Sequence, residues 1–214
     1  VEKTDRYTEM RPTEIEVLNL AREAVTNDAT LEGLWEGLSS KDLDERHRSF
    51  LALQTLTEVY PERMYVRYWD EVAAMLDKRS VDAKYIAVSL LAGMAAAKGD
   101  NRFEELFDKY FMLLDDNNLT IPMHVALNAA RVFKAKSLLR ERIIGHLLRI
   151  DETHHTPGRK ALIAANAIES LDKCFDEIED KAAIIDFARF YADAPSPKAR
   201  KVAKAFLKKR TETG

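Results

Sequence analysis

Small and apolar residues recur along this chain with a period of 38 or 39 residues. Five segments carry them at positions 0, +3 and +4, and successive segments begin 38, 39, 38 and 39 residues apart. That spacing places the three side chains on one face of a helix. A register kept over five copies predicts repeated helical units, because an irregular helical bundle has no reason to maintain it. The residues at position 0 are Ser49, Ala87, Ala126, Ala164 and Ala203.

A second, bulkier set of apolar residues lies between these segments. Each repeat is therefore predicted to pair an outer helix A, with large core residues, and an inner helix B, with small ones. Short polar turns such as 77–79, 115–118 and 193–195 would join the helices. The bulky residues recur every 38 residues in three series: Leu31, Trp69 and Phe107; Leu34, Val72 and Tyr110; Leu38, Leu76 and Leu114.

The starts of the inner helices are marked by residues that cap helices. Asp42, Ser80 and Ser196 lie seven residues before position 0, and Thr156 lies eight before it. Their side-chain oxygens can accept hydrogen bonds from the free amides of a first helical turn. Asp42 with Glu45 has the spacing of a capping box.

The predicted fold is an all-α solenoid of about five antiparallel helix pairs plus an N-terminal helix. Only seven glycines and six prolines occur, fewer than strand-rich folds usually need for their turns. We assign 1–214 to a single repeat domain: a flexible start at 1–11, a capping helix or half-repeat at 12–27, five repeats at 28–210 and a tail at 211–214.

This pattern resembles the HEAT-like repeat proteins over about residues 28–210. Unit length, the alternation of helices A and B and the small-residue face of helix B all match. Basic residues three before position 0 (Arg46, Lys84 and Arg200) resemble the family's recurring basic position, although Met123 and Ala161 depart from it. The resemblance implies an α-solenoid whose helix B lines a concave surface.

No sequence pattern indicates catalysis, and we expect no catalytic residues, cofactor or metal. Phosphate-binding glycine loops and the usual hydrolase and metalloprotease motifs are absent from the sequence. His154-His155, between Asp151 and Pro157, could be a metal tract. We interpret it instead as a solvated loop, because adjacent side chains in a turn are expected to point apart.

The face of helix B opposite its packed side mixes hydrogen-bonding, aromatic and apolar groups. A surface made only for solubility would be mostly Lys and Glu, so a mixed row favours contact with a protein or peptide. Asn128 and Asn166 resemble the asparagine ladders with which armadillo arrays hold extended peptides, although a plain exposed row is an equal alternative. The predicted partner-binding residues are His47, Tyr85, Ser89, His124, Asn128, Arg131 and Asn166.

Charge is uneven along the chain, whose formal net charge is −3. Residues 1–60 hold 13 acidic and 7 basic residues, whereas 196–214 hold one acidic and seven basic residues. The basic end would serve as a polar cap for the last repeat, or attach to nucleic acid or another acidic partner. Its predicted basic patch is Lys198, Arg200, Lys201, Lys204 and Lys208.

The leading functional hypothesis is a non-enzymatic scaffold that binds another protein or a peptide on the helix-B surface, within residues 44–170. The alternative is association with nucleic acid through the basic C-terminal helix. The single cysteine, the absence of a long apolar run and the polar first eleven residues lead us to expect a cytoplasmic protein with no membrane partner.

Overall fold

The computed structural model describes residues 14–99 and 101–211, and this part of the chain is all-α. The start predicted at 1–11 lies outside the described residues, as do positions 212–214 of the tail predicted at 211–214, whereas Thr211 is the last residue of the final helix. Single 3₁₀ turns follow several helices, and the described residues contain no strand. The helices are α1 (Glu14–Thr26), α2 (Asp28–Gly37), α3 (Leu43–Val59), α4 (Pro61–Met75), α5 (Val81–Met94), α6 (Arg102–Met112), α7 (Thr120–Ala135), α8 (Arg140–Leu148), α9 (Pro157–Cys174), α10 (Lys181–Tyr191) and α11 (Pro197–Thr211).

The chain forms two compact units, Val1–Asp70 and Glu71–Gly214, whose boundary falls inside α4. The first unit contains α1 to α3 and most of α4, and the second contains α5 to α11. In chain order the described helices match the prediction of an N-terminal helix followed by five successive pairs. None of the described helices is long and apolar enough to cross a membrane.

The inner helices pack against one another in series. In the second unit α5 packs on α7, α7 on α9 and α9 on α11, and in the first unit α1 packs on α3. The residues at position 0 are buried in all five repeats. Four of them are alanines, and small side chains let helix axes approach closely. In the first unit α1 therefore packs on α3 as the inner helices of the second unit pack on one another.

The outer helices supply the bulk of the core, as the sequence predicts. All nine residues of the three 38-residue series are buried, with Phe107 and Tyr110 fully enclosed. Tyr110 also donates a hydrogen bond from its hydroxyl to the carbonyl oxygen of Val88, 3.0 Å away. A buried phenol needs such a partner, since an unmet hydroxyl would lose its hydration without replacement.

Three of the four predicted helix caps are formed. Asp42 accepts from the amides of Asp44 and Glu45, Ser80 from Ala83, and Ser196 from Ala199. The side chain of Thr156 makes no capping bond. The capping box also differs from expectation, because Ser40 intervenes: its hydroxyl donates to Glu45 and accepts from the Asp42 amide.

Ion pairs join residues that lie about one repeat apart. In the second unit Lys84 Nζ lies 2.5 Å from Asp116, Lys109 Nζ 2.6 Å from Asp77, and Arg142 2.5 Å from Asp108. In the first unit Arg63 pairs with Asp28. Each exposed pair contributes little by itself, typically below about 1 kcal/mol. Together they favour one stacking register of neighbouring repeats.

Candidate functional site

Two predicted partner-binding residues, Tyr85 on α5 and His124 on α7, contact each other. Their ring centroids are 4.6 Å apart and the rings meet edge to face. Both side chains are half-buried. Burial raises the pKa of Tyr85. Burial, and then the positive charge of Lys198, lowers the pKa of His124 and so favours its neutral form at pH 7. The pair presents a fixed, largely uncharged aromatic surface.

Arg131 ties the next turn of α7 to α5. Its Nη1 lies 3.3 Å from Oδ1 of Asn128 and 3.4 Å from the carbonyl oxygen of Ser89. Asn128 in turn donates from Nδ2 to the carbonyl oxygen of His124, 2.9 Å away. Ser89 and Asn128 are buried, whereas Arg131 is half-buried. Of these three predicted contact residues, only Arg131 therefore presents a partly exposed side chain.

Asn166 on α9 joins three helices. Its Nδ2 donates to the carbonyl oxygen of Met123 on α7 at 2.9 Å, and its Oδ1 accepts from Lys198 Nζ on α11 at 2.7 Å. The side chain is only 5% exposed. Asn128 and Asn166 thus direct their amides at their own chain. An asparagine ladder of the armadillo type would need these same side-chain amides to bond to the backbone of a bound peptide.

Asn166 belongs to a row of polar residues that crosses from α9 to α7. Ser170 donates to the carbonyl oxygens of Ala126 (2.6 Å) and Leu127 (2.9 Å), and Cys174 lies 3.8 Å from that of Ala130. Asn166, Ser170 and Cys174 are spaced by four residues and so share one helix face. Sequence reasoning missed this row, although its spacing was a readable signal.

Cys174 is buried, and burial raises the pKa of its thiol to about 11. The nucleophilic form of a cysteine is the thiolate, so this residue is unreactive at neutral pH. Its position at the end of the polar row explains its burial without a catalytic role.

The half-exposed side chains of α5, α7 and α9 define what we call the inner-helix face. On α7 the spacing of three and four residues aligns His124, Leu127 and Arg131. On α9 Leu162 occupies the repeat position of Tyr85 and His124. All members are half-buried in the second unit. The inner-helix face consists of Tyr85, His124, Leu127, Arg131 and Leu162.

His47, the remaining predicted contact residue, lies on α3 in the first unit. It occupies the same repeat position as Tyr85 and His124, and its side chain is exposed.

The predicted basic patch divides into internal and exposed members. Lys198 donates to Asn166, and Arg200 donates to the carbonyl oxygens of Ala194 (2.8 Å) and Pro195 (3.0 Å). These two residues fasten α11 to the preceding repeat. The remaining members of the patch, Lys201, Lys204 and Lys208, are exposed, as is Lys198 itself.

The histidine tract differs from its predicted form as a solvated loop. His154 is exposed but His155 is buried, and their ring centroids are only 4.2 Å apart. The expectation that the adjacent side chains point apart is therefore wrong. The packing of the loop before α9 against the turn after α6 turns both rings toward Asp115, whose Oδ1 lies 2.6 Å from His154 Nδ1.

The described residues also line surface cavities, of which three lie near these features. In the first unit one of about 690 Å³ is lined by Val25, Tyr60 and the Arg63–Asp28 pair, and one of about 260 Å³ by Leu18, Val25 and Tyr60. In the second unit one of about 260 Å³ lies between α8 and α10, beside Phe187 and Phe190.

No protein-family model and no curated protein matches the chain. Among solved structures it is similar to an engineered protein, with a TM-score of 0.51 and 16% identity over 98% of this chain and 94% of that one. It is also similar to a designed armadillo repeat protein (TM-score 0.48, 15% identity, 94% and 96% covered). A computationally designed armadillo repeat protein for modular peptide recognition aligns with a TM-score of 0.49 and 13% identity, over 91% and 92% of the two chains. At these identities the likeness concerns the fold. With its paired helices in a 38–39-residue register, the chain has an all-α helical repeat fold.

Proposed function

We propose that this chain is a non-enzymatic interaction module that binds a protein or an extended peptide on its inner-helix face. The observation that carries the proposal is the edge-to-face contact of Tyr85 and His124, half-buried and fixed on two neighbouring inner helices. Aromatic side chains held in place lose little conformational entropy when a partner covers them, which makes them effective anchors.

Arg131 adds a directional polar group to this surface. Its guanidinium is held by two acceptors of its own repeat stack, Asn128 Oδ1 and the Ser89 carbonyl oxygen. Tyr and Arg are the residue types most enriched among residues that dominate binding energy. Leu127 and Leu162 supply apolar area beside them, so the inner-helix face offers both anchors and a polar contact.

The polar groups of Ser89, Asn128 and Asn166 have a supporting role in this proposal. They hold α5, α7, α9 and α11 in position and thereby fix the spacing of the side chains that meet the partner. Recognition would therefore depend mainly on side chains of the peptide, rather than on a ladder of asparagine bonds to its backbone.

A selection of displayed peptides against the full chain tests the proposal. We expect the double substitution Tyr85→Ser and His124→Ser to weaken the binding of the selected peptides by about 2 kcal/mol, roughly thirtyfold in Kd. The matched control is Met112→Ser with Leu138→Ser, two exposed apolar residues outside the inner helices. Both double variants should retain the helical circular-dichroism spectrum. Peptides that bind the first double variant as tightly as the native chain would refute the site assignment.

Nucleic-acid association through α11 stays an alternative prediction. Within the basic patch Lys201, Lys204 and Lys208 offer the most accessible charges, because Lys198 and Arg200 donate hydrogen bonds to other residues of the chain. A single short row of exposed lysines supports weaker phosphate binding than a stripe across all repeats would.

A further inference from the structure

His155 is a buried histidine whose two ring nitrogens have no hydrogen-bonding partner among the described residues. Its side chain is 4% exposed. A buried polar group without a partner loses its hydration and receives nothing in return, so such groups require an explanation. The explanation offered by its surroundings is a ligand that accepts a nitrogen lone pair.

Two further donor groups converge on the same place. The carboxylate of Asp115, the ring of His154 and the ring of His155 each offer an atom, and these atoms lie within 4.8 Å of one another. Asp115 ends the 3₁₀ turn that follows α6, and the two histidines lie in the loop before α9. Asp115 and His154 are thus 39 residues apart, one repeat along the chain.

We propose that Asp115, His154 and His155 form a binding site for a divalent transition-metal ion of the zinc class. Imidazole nitrogen and carboxylate oxygen are ordinary zinc ligands, at about 2.0–2.2 Å from the ion. His154 Nδ1 and Asp115 Oδ1 are 2.6 Å apart, and all three ligand atoms lie within 4.8 Å of one another, which brings them within reach of a single ion. Water or an external ligand would complete the coordination.

Charged groups of both signs surround the candidate site. Burial, and then the neighbouring His154, lowers the pKa of His155. Partial burial opposes ionisation of Asp115, but hydrogen bonds from the His154 amide and ring outweigh it and lower the pKa of the carboxyl. Asp116 adds negative charge nearby, while Arg159 opposes it.

The ion would act as a clamp between successive repeats. Asp115 already accepts a hydrogen bond from the backbone amide of His154 at 2.8 Å. This bond orients the carboxylate without involving a ring nitrogen of either histidine. Lys84 and Asp116 form an ion pair 2.5 Å long beside the same turn. Metal binding would convert an exposed His–Asp contact into coordination bonds that hold the α6–α7 turn against the α8–α9 loop.

Calorimetric titration of the full, tag-free chain with Zn²⁺, after treatment with EDTA and removal of the chelator, tests this site. We expect one ion per chain with a dissociation constant in the micromolar range or below. Asp115→Asn, His154→Ala and His155→Leu should each weaken binding by about tenfold or more. Mg²⁺ should not bind, because it prefers oxygen ligands and keeps its waters.

His47→Ala is the matched control, since it removes an exposed histidine of the first unit. It should leave the stoichiometry and affinity unchanged. Asp115 and His154 are exposed, so their variants keep the test valid even if His155→Leu disturbs folding. As an independent readout, Zn²⁺ should raise the melting temperature of the native chain and of His47→Ala, but not of His154→Ala.

Three results would overturn the proposal. The first is no binding up to about 100 μM Zn²⁺, an affinity too weak for a built site. The second is binding that survives in all three ligand variants. The third is several ions per chain whose number falls in His47→Ala, which would indicate unspecific binding to surface histidines.

Discussion

Replacement of Asn166 by alanine tests whether this residue holds neighbouring helices together or contacts a bound partner. The substitution removes the hydrogen bond to the Met123 carbonyl oxygen and the acceptor of Lys198. The first bond contributes about 1 kcal/mol. The second joins a charged donor, but Lys198 is exposed and regains water, so its contribution falls to about 0.5–1 kcal/mol. We expect a loss of about 2 kcal/mol in the free energy of unfolding.

Urea denaturation followed by far-ultraviolet circular dichroism measures this loss. The midpoint should fall with an unchanged slope, and the melting temperature should drop by about 4–8 °C for a chain of this size. Lys198→Ala should cost only about 0.5–1 kcal/mol. Together the two substitutions should cost less than their sum, because they share one hydrogen bond.

Asn117→Ala, at an exposed turn position, is the matched control and should change stability by less than about 0.5 kcal/mol. The reasoning would be refuted if Asn166→Ala left stability within that margin. It would also be refuted if the variant kept its stability but failed to bind the peptides selected on the inner-helix face, since Asn166 would then contact the partner.

Three further predictions concern other parts of the chain. Gly37→Ala should destabilise the folded chain by about 1–3 kcal/mol, despite alanine's better helix propensity, because the new Cβ would overlap Ser49 Oγ. Adding Ser49→Gly to this variant should restore most of the lost stability, as measured by urea denaturation. Burial, and then Arg149, lowers the pKa of His146. Because the unfolded chain therefore binds the proton more readily, the free energy of unfolding should fall as the pH drops below about 6.5, and it should fall less in His146→Leu. An equal fall in the native chain and in His146→Leu would contradict this origin. Replacing Lys201, Lys204 and Lys208 by serine should change the free energy of unfolding by less than about 0.5 kcal/mol. It should also reduce the slope of the logarithm of duplex-DNA affinity against the logarithm of salt concentration by about 0.9 for each phosphate that is no longer neutralised. An unchanged slope in fluorescence anisotropy would exclude these lysines as the DNA-binding groups.

The inner-helix face shows which aspects of side-chain exposure helical periodicity predicts and which it does not. Periodicity placed Tyr85, His124 and Arg131 on one side of helices α5 and α7, and the structure leaves these side chains half-exposed. The same periodicity placed Ser89, Asn128 and Asn166 there as well, but all three are buried. A helical wheel gives the direction of a side chain relative to its own helix. It does not give the distance to the neighbouring helix, which small alanine-rich surfaces allow to be short.

The sequence by itself determined the all-α class, the 38–39-residue register, the separation of bulky and small core residues and three helix caps, because each depends on residue spacing along the chain or on one local turn. Only the tertiary structure decided the polar row from α9 to α7 and the convergence of Asp115, His154 and His155. These contacts join residues about one repeat apart, and they depend on how far neighbouring helices and turns approach. That approach follows from packing over many residues, so a local pattern such as the spacing of Asn166, Ser170 and Cys174 does not identify the groups that these residues contact.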